Sequence, residues 1–376
     1  MPAIVLVSAL GAAFVAFYAF EATGAFFLTN ATLEIPSAIL PTIDAHQISL
    51  LFTALMAVSV LELLQIMRVG VHENDYYRLT KSPLAIGIAG DSGSGKDTLA
   101  SALMGLFGAV STTHLSGDDY HIWDRHSPMW KAVTHLNPRA NRLLQFTNDA
   151  LDLLNLKTVS ARHYDHSTGL FSQLRQLKGN DVILISGLHT LFMQALRERM
   201  DVAIYLDMNE ELRHFLKFRR DAKERGHSLE SFRAAMAARE SEARRYISPQ
   251  RQHASLILSL MPLNADLLTI DQMDMPPLKL VAVMRDYGIY EDLVRVLVGV
   301  CNLHVNLELL DESGSVRLEI EGDADFSDED AALAAQILCP SIGELLSRKP
   351  LWRDGMLGIM QVIIIAAIDE TLRKRR

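Results

Sequence analysis

Apolar and polar positions follow three regimes along the chain. Residues 3–20 (AIVLVSALGAAFVAFYAF) carry no charged side chain, and residues 48–67 (ISLLFTALMAVSVLELLQIM) are apolar apart from Glu62 and Gln65 near their end. Each run is long enough for a helix to cross a hydrocarbon layer of about 30 Å. A second regime begins at residues 84–90 (LAIGIAG), a short apolar run closed by glycine, as in a buried parallel strand. DTLASALMGLFG (97–108) then spaces its apolar residues as an amphipathic helix stopped by Gly108. After residue 277 the period changes to two. LKLVAVMRD and NLHVNLELLDESGSVRLEIEG predict strands joined by a turn near Glu312–Ser315. EDAALAAQILCPSIGELL reads as a helix broken by Pro340. The 13 residues MLGIMQVIIIAAI (356–368) carry only Gln361; they are too few to span a membrane and predict a buried helix.

These regimes predict three parts: a two-helix transmembrane hairpin over 1–70, an α/β nucleotide-binding domain over 82–265, and an α+β module over 277–376 that caps the domain or forms a homodimer. The segment joining the two spans holds Glu21, Glu34 and Asp44 but no Lys or Arg, whereas Arg68, Arg78 and Lys81 follow the second span. The positive-inside rule places both termini, and so the catalytic domain, in the cytoplasm. The terminal RKRR (373–376) reads as a solvated tail or a contact for anionic lipid.

The charge balance changes the list of partners. The 376 residues carry a formal net charge of −9, which argues against nucleic-acid backbone as the main ligand. Cys301 and Cys339 lack metal-ligand spacing and read as buried thiols.

GDSGSGKDT (90–98) is the chemically explicit stretch. Gly90, Gly93 and Gly95 let the backbone wrap phosphate, with Asp91, Ser92, Ser94 and Thr98 completing the loop. The helix N-terminus adds partial positive charge, and Lys96 can bridge the outer phosphates of ATP. Strand, loop and helix in this order are the context such a loop requires. Asp97 departs from it, because a Ser or Thr after the lysine normally holds Mg²⁺.

A kinase must also accept a proton and neutralise a moving phosphoryl group. Asp118 ends the apolar-to-polar switch HLSGDD, the position of a strand's carboxyl end, and is the candidate base, with Asp119 the alternative. Lys217, Arg220, Asp221 and Arg225 share one helical face, suited to gripping phosphates or equally to a solvated surface.

SGDDYHIWDR (116–125), THLNPRAN (134–141), HYDHSTGL (163–170), VILISGLH (182–189), RDAKERGHSLES (220–231) and YISPQRQHASLIL (246–258) occur in order. This series resembles the phosphoribulokinase/uridine kinase family over about residues 82–262, and within it the plant and cyanobacterial phosphoribulokinases. The resemblance implies a P-loop kinase with a mostly parallel sheet. It assigns catalysis to Asp118, Lys96, Lys217, Arg220 and Asp221, and substrate contacts to His121, Arg125, Tyr164, His166 and Arg225. It also implies ATP, Mg²⁺ and a sugar-phosphate acceptor. Where the family carries Glu at the end of the next core strand, this chain has Ser186. A carboxylate gained at Asp97 and lost at Ser186 reads as a swap around one metal, with loss of the metal site as the rival reading, against which stand the retained Lys96, Asp118, Lys217, Arg220, Asp221 and Arg225. Ser94 stands where photosynthetic members often carry a redox-active cysteine, so thioredoxin switching through this loop is not expected. The function expected is a membrane-anchored sugar-phosphate kinase. The alternatives are a kinase of a nucleoside or lipid-linked sugar, and a non-catalytic nucleotide-binding subunit.

Overall fold

The computed structural model describes residues 26–28, 31–33, 82–216, 239–264, 276–311, 314–322 and 325–375. The chain divides into two units, 1–72 and 73–376. In the first, Phe26–Leu28 and Ala31–Leu33 form an antiparallel pair, with Phe26 opposite Leu33. The expected membrane spans, 3–20 and 48–67, lie outside the described residues.

The second unit is built on one eight-stranded sheet. Its parallel part comprises β1 (Leu84–Ala89), β2 (Thr112–Ser116), β3 (Val182–Gly187), β4 (Val202–Met208) and β5 (Leu256–Pro262), in the order β2-β3-β1-β4-β5. Three further strands, β6 (Leu278–Met284), β7 (His304–Leu309) and β8 (Val316–Glu321), extend it antiparallel beyond β5 in the order β6-β8-β7. The period-two region after residue 277 therefore continues the sheet of the nucleotide-binding domain.

Strand β1 shows how the sequence specifies two faces. All six of its residues are buried. Leu84, Ile86 and Ile88 meet Leu99, Leu103 and Leu106 of helix α1 (Lys96–Phe107) on one face. Ala85 points the other way, into the layer of Phe146, Ala150 and Leu153 from α2 (Leu143–Leu154). A strand buried on both faces needs this uninterrupted apolar run. Gly108 ends α1 at φ 87°, with its N–H bonded to the Met104 carbonyl at 2.8 Å.

Helices α3 (Tyr290–Gly299), α4 (Asp328–Leu338) and α5 (Gly355–Arg375) cover the α1 face of the extended sheet. Ser327 and Asp330 form a reciprocal capping box at the start of α4. Helix α5 is long and apolar enough to cross a membrane, yet Ile359 and Val362–Ile368 are fully buried. It is the buried helix expected from the apolar run, lengthened to 21 residues. Its basic end is not a free tail. Arg373 pairs with Asp369 at 2.6 Å, Lys374 with Glu370 at 2.9 Å, and Arg375 with Asp201. Glu370 also accepts the N–H groups of Gly288 and Ile289, at 2.8 and 3.0 Å, tying α5 to the turn that opens α3.

Gln361 is the polar exception in α5 and has no solvent exposure. Its oxygen accepts the Arg353 N–H at 2.9 Å, and its amide donates to the carbonyls of Ala102 and Leu351 at 3.0 and 3.2 Å. It thus joins α5 to α1 and to the segment before α5. Gln361→Leu would remove three hydrogen bonds to backbone, one of them buried, and is expected to cost about 1–3 kcal/mol, read as a lower urea midpoint at unchanged m-value.

Candidate functional site

The sheet reverses its strand order beside β1, whose neighbours are β3 and β4. Loops leaving the carboxyl ends diverge there and leave a crevice. The phosphate loop fills its floor. Gly93 and Gly95 have φ of 82° and 94°, which side-chain-bearing residues adopt at a cost. A Cβ on Gly90 would collide with the Leu206 carbonyl oxygen and stand 2.8 Å from Ser94 Oγ. Ser94 is buried and its hydroxyl has no hydrogen-bond partner among the described residues. Lys96 Nζ donates to the Asp91 carbonyl at 2.8 Å, and Arg213 pairs with the Asp91 carboxylate. The loop is thereby held in shape, with a lysine whose amine can exchange one oxygen partner for others.

Gly117 and Gly187 bring the ends of β2 and β3 together. A Cβ on Gly187 would lie 3.0 Å from the Gly117 Cα, and one on Gly117 would lie 3.2 Å from the Gly187 Cα. The turn Gly117–Tyr120 starts at this contact and carries the two candidate bases. Asp119 is buried. Its carboxylate accepts the Tyr164 N–H at 2.7 Å and faces Arg175 at 3.2 Å and His163 at 3.3 Å. That set holds the hairpin of Tyr164–Asp165 and Leu170–Phe171 in place. Asp118 faces the opposite way, into a cavity of about 560 Å³ that also takes in Ser92, Gly93, Lys96, Asp97, His121, Arg125, Tyr164 and His166.

The electrostatics around Asp118 are dense. Its oxygens lie 3.2 Å from His166 Nε2 and 3.5 Å from His121 Nε2. Burial favours the neutral acid, but His121, the hydrogen bond from His166 and the charge of Lys96 prevail and hold the carboxyl well below its ordinary range. Asp118 is therefore ionised at neutral pH. The hydrogen bond to Asp118 raises His166 against its burial, with Asp97 adding to the effect at 4.0 Å. Burial lowers His121 despite the neighbouring carboxylate.

Arg125 runs beneath the hairpin. Its guanidinium donates to the His166 carbonyl at 2.9 Å and its N–H to the Gly169 carbonyl at 3.0 Å. Gly169 has φ 74°, and a Cβ there would stand 2.6 Å from that of Arg125. Of the described residues expected at the site, Gly90, Asp91, Ser94, Gly95, Thr98 and Ser186 do not line the cavity. Ser186 Oγ lies 2.8 Å from His114 Nε2, while Asp97 projects into the cavity with a largely exposed carboxylate. Among the described residues no group of three or more His, Cys, Asp or Glu could enclose a metal ion. Lys217, Arg220, Asp221 and Arg225 lie outside the described residues.

Several lining residues had no signal of their own in the sequence. Ser116, Trp130, His135, Leu188 and Arg239 complete the wall. His135 stacks on His121, with ring centres 3.5 Å apart and planes at 12°. Burial, with His121 beside it, drives His135 down to about 2, so it is neutral. These residues become recognisable only when distant segments meet.

A phosphate loop at the switch point, a carboxylate on the neighbouring turn and a covering hairpin define the phosphoryl-transfer class of P-loop α/β proteins. The model of the Phosphoribulokinase / Uridine kinase family matches residues 85–266. Phosphoribulokinase of Synechocystis is 38% identical over 177 residues, covering 47% of this chain and 53% of that protein. The chloroplastic phosphoribulokinase of Mesembryanthemum crystallinum is 36% identical, covering 48% and 49%. A uridine kinase of Staphylococcus aureus is 32% identical, covering 47% of this chain and 88% of that protein. The chain belongs to the phosphoribulokinase/uridine kinase family. It spans about half the length of the phosphoribulokinases it matches. In fold it is similar to the solved phosphoribulokinase from Rhodobacter spheroides, with a TM-score of 0.55 at 15% identity, over 78% of this chain and 98% of that one.

The two adjacent aspartates should separate by stability. Asp119→Asn should cost about 1–3 kcal/mol, because it weakens buried charge-assisted hydrogen bonds. Asp118→Asn gives up the ion pair with His166, but on a partly exposed carboxylate, and should lower the stability read from urea unfolding by less than Asp119→Asn does.

Proposed function

We propose that the protein is a membrane-anchored, ATP- and Mg²⁺-dependent kinase that phosphorylates a hydroxyl group of a sugar phosphate. The observation that carries this reading is the single cleft in which Lys96 and the phosphate loop face Asp118, Arg125 and the Tyr164–His166 hairpin. The phosphoribulokinase relatives supply the acceptor class.

The loop fits a triphosphate: its glycines exclude side chains, and the start of α1 supplies N–H groups. Lys96 meets the outer phosphates, and Asp118 receives the acceptor hydroxyl. Arg125 binds the acceptor's own phosphate, with Lys217, Arg220 and Arg225 as further cations and Asp221 orienting them. Asp97 offers an exposed anionic oxygen suited to Mg²⁺, whereas Ser186, buried beside His114, does not reach the cavity and the expected exchange of ligands is reduced to Asp97. The ion supplies charge neutralisation on the phosphates. The similarity to a uridine kinase over most of that protein's length favours a nucleoside as the second acceptor class to assay.

The test is turnover of purified full-length protein with ATP and Mg²⁺ on pentose phosphates, nucleosides and lipid-linked sugars. Sugar-phosphate turnover is expected, and Asp97→Ala should raise the Mg²⁺ concentration for half-maximal rate by about tenfold or more. ATP binding without turnover on any acceptor would overturn the kinase reading. Unchanged metal dependence in the variant would remove Asp97 from the metal.

The anchoring rests on the uncharged runs 3–20 and 48–67. The full chain should sediment with membranes and resist carbonate extraction, whereas a chain starting at residue 73 should not. Extraction of the full chain by carbonate would rule the anchor out.

A further inference from the structure

A second cavity, of about 630 Å³, lies along the open edge of the sheet, where β2 has a neighbouring strand on one side only. Leu115 of β2 packs into the layer of α2, so Thr112, His114 and Ser116 point to the α1 side. Val182 and Leu184, beside them on β3, are fully buried under α1. The switch from an apolar to a polar row marks where α1 ceases to cover the sheet and a groove begins. Ser101 and Met104 of α1 form one wall of it, and residues 175–178 the other. That outer wall is fixed to β2, since Thr113 Oγ1 donates to the Lys178 carbonyl at 2.6 Å.

The groove adjoins the cleft that holds Asp118, because Asp97, Ser116, Tyr164 and His166 line both. Its charge changes sign along its length. Asp97, exposed, stands at the shared end. Arg175 donates to Asp119, just past the carboxyl end of β2, at 3.2 Å; its side chain is 43% exposed. Lys178, bonded through its carbonyl near the start of β2, lies further from the cleft and has no carboxylate partner among the described residues. Between the two ends, His114 Nε2 lies 2.8 Å from Ser186 Oγ, and its Nδ1 has no hydrogen-bond partner among the described residues. A polar row leading to an unpaired cation suits a hydroxylated ligand with an anionic end. Asp97 repels that anion from the shared end, which sets the ligand's direction. We infer that the groove is a second acceptor subsite, which takes an anionic group that the sugar phosphate carries in addition to the phosphate bound by Arg125. The inference rests on the kinase reading and narrows its acceptor to a doubly anionic sugar. One phosphate lies in the cleft, and a second phosphate or diphosphate extends along β2 toward Lys178.

The test is the affinity of the full-length protein, its nucleotide site filled with a non-hydrolysable ATP analogue and Mg²⁺, for two compounds. One is ribose 5-phosphate; the other is 5-phosphoribosyl diphosphate, which adds a diphosphate to the same sugar. The second should bind about tenfold tighter or more. Lys178→Gln removes the cation. Ser101→Leu fills the groove from an exposed helix position without changing charge or weakening the helix. Each variant should abolish the preference while leaving the affinity for ribose 5-phosphate within about twofold of the wild type. Equal affinities in the wild type, binding of neither compound, or a preference that survives either variant overturns the inference. So does an equal loss for both compounds in folded variants. A wild type with the expected preference but no turnover of any acceptor refutes instead the kinase reading.

Discussion

The backbone of Gly117 lies against the backbone of Gly187, and the cleft depends on that approach. The contact draws the ends of β2 and β3 together on one side of β1 and aims the Gly117–Tyr120 turn over the phosphate loop. Without it Asp118 would not share a cavity with Lys96. The arrangement concentrates negative charge, since Asp97 and Asp118 line the same space. The protein balances it locally with His121, His166 and Lys96, which explains why Asp118 stays ionised although partly buried. Asp119, one residue further on, faces away and holds the hairpin, so one turn separates a chemical from a structural carboxylate.

How much of this was legible in the sequence follows from how local each signal is. The phosphate loop reads directly, because its glycines, lysine and following helix lie within one short stretch. Asp118 reads from the end of an apolar strand. The buried hydrogen bonding of Asn141 does not, since it depends on two carbonyls and the His121 ring brought together by a turn. Nor does the commitment of Ser186 to His114, which sits on the neighbouring strand. The period-two pattern after residue 277 gives strands but not the sheet they join, because strand pairing is fixed by contacts distant in sequence.

Helix α5 illustrates the same limit for hydrophobicity. A fully buried core helix and a membrane span can share length and composition, and what surrounds them decides. Here the surroundings are α4, α1, β4 and β6, and Gln361 finds three backbone partners. The basic residues at its end, which read from sequence as a solvated tail or a lipid contact, pair with acids of the same unit while Arg373 and Lys374 stay exposed.

The central claim is that Asp118 acts on the acceptor in a cleft that holds the nucleotide independently. It is tested most directly by measuring ATP affinity and single-turnover phosphoryl transfer side by side for wild type and Asp118→Asn. The account predicts nucleotide affinity within about twofold of the wild type and transfer slowed by 10²-fold or more, roughly the contribution of a positioned base. Transfer at the wild-type rate in Asp118→Asn would contradict it.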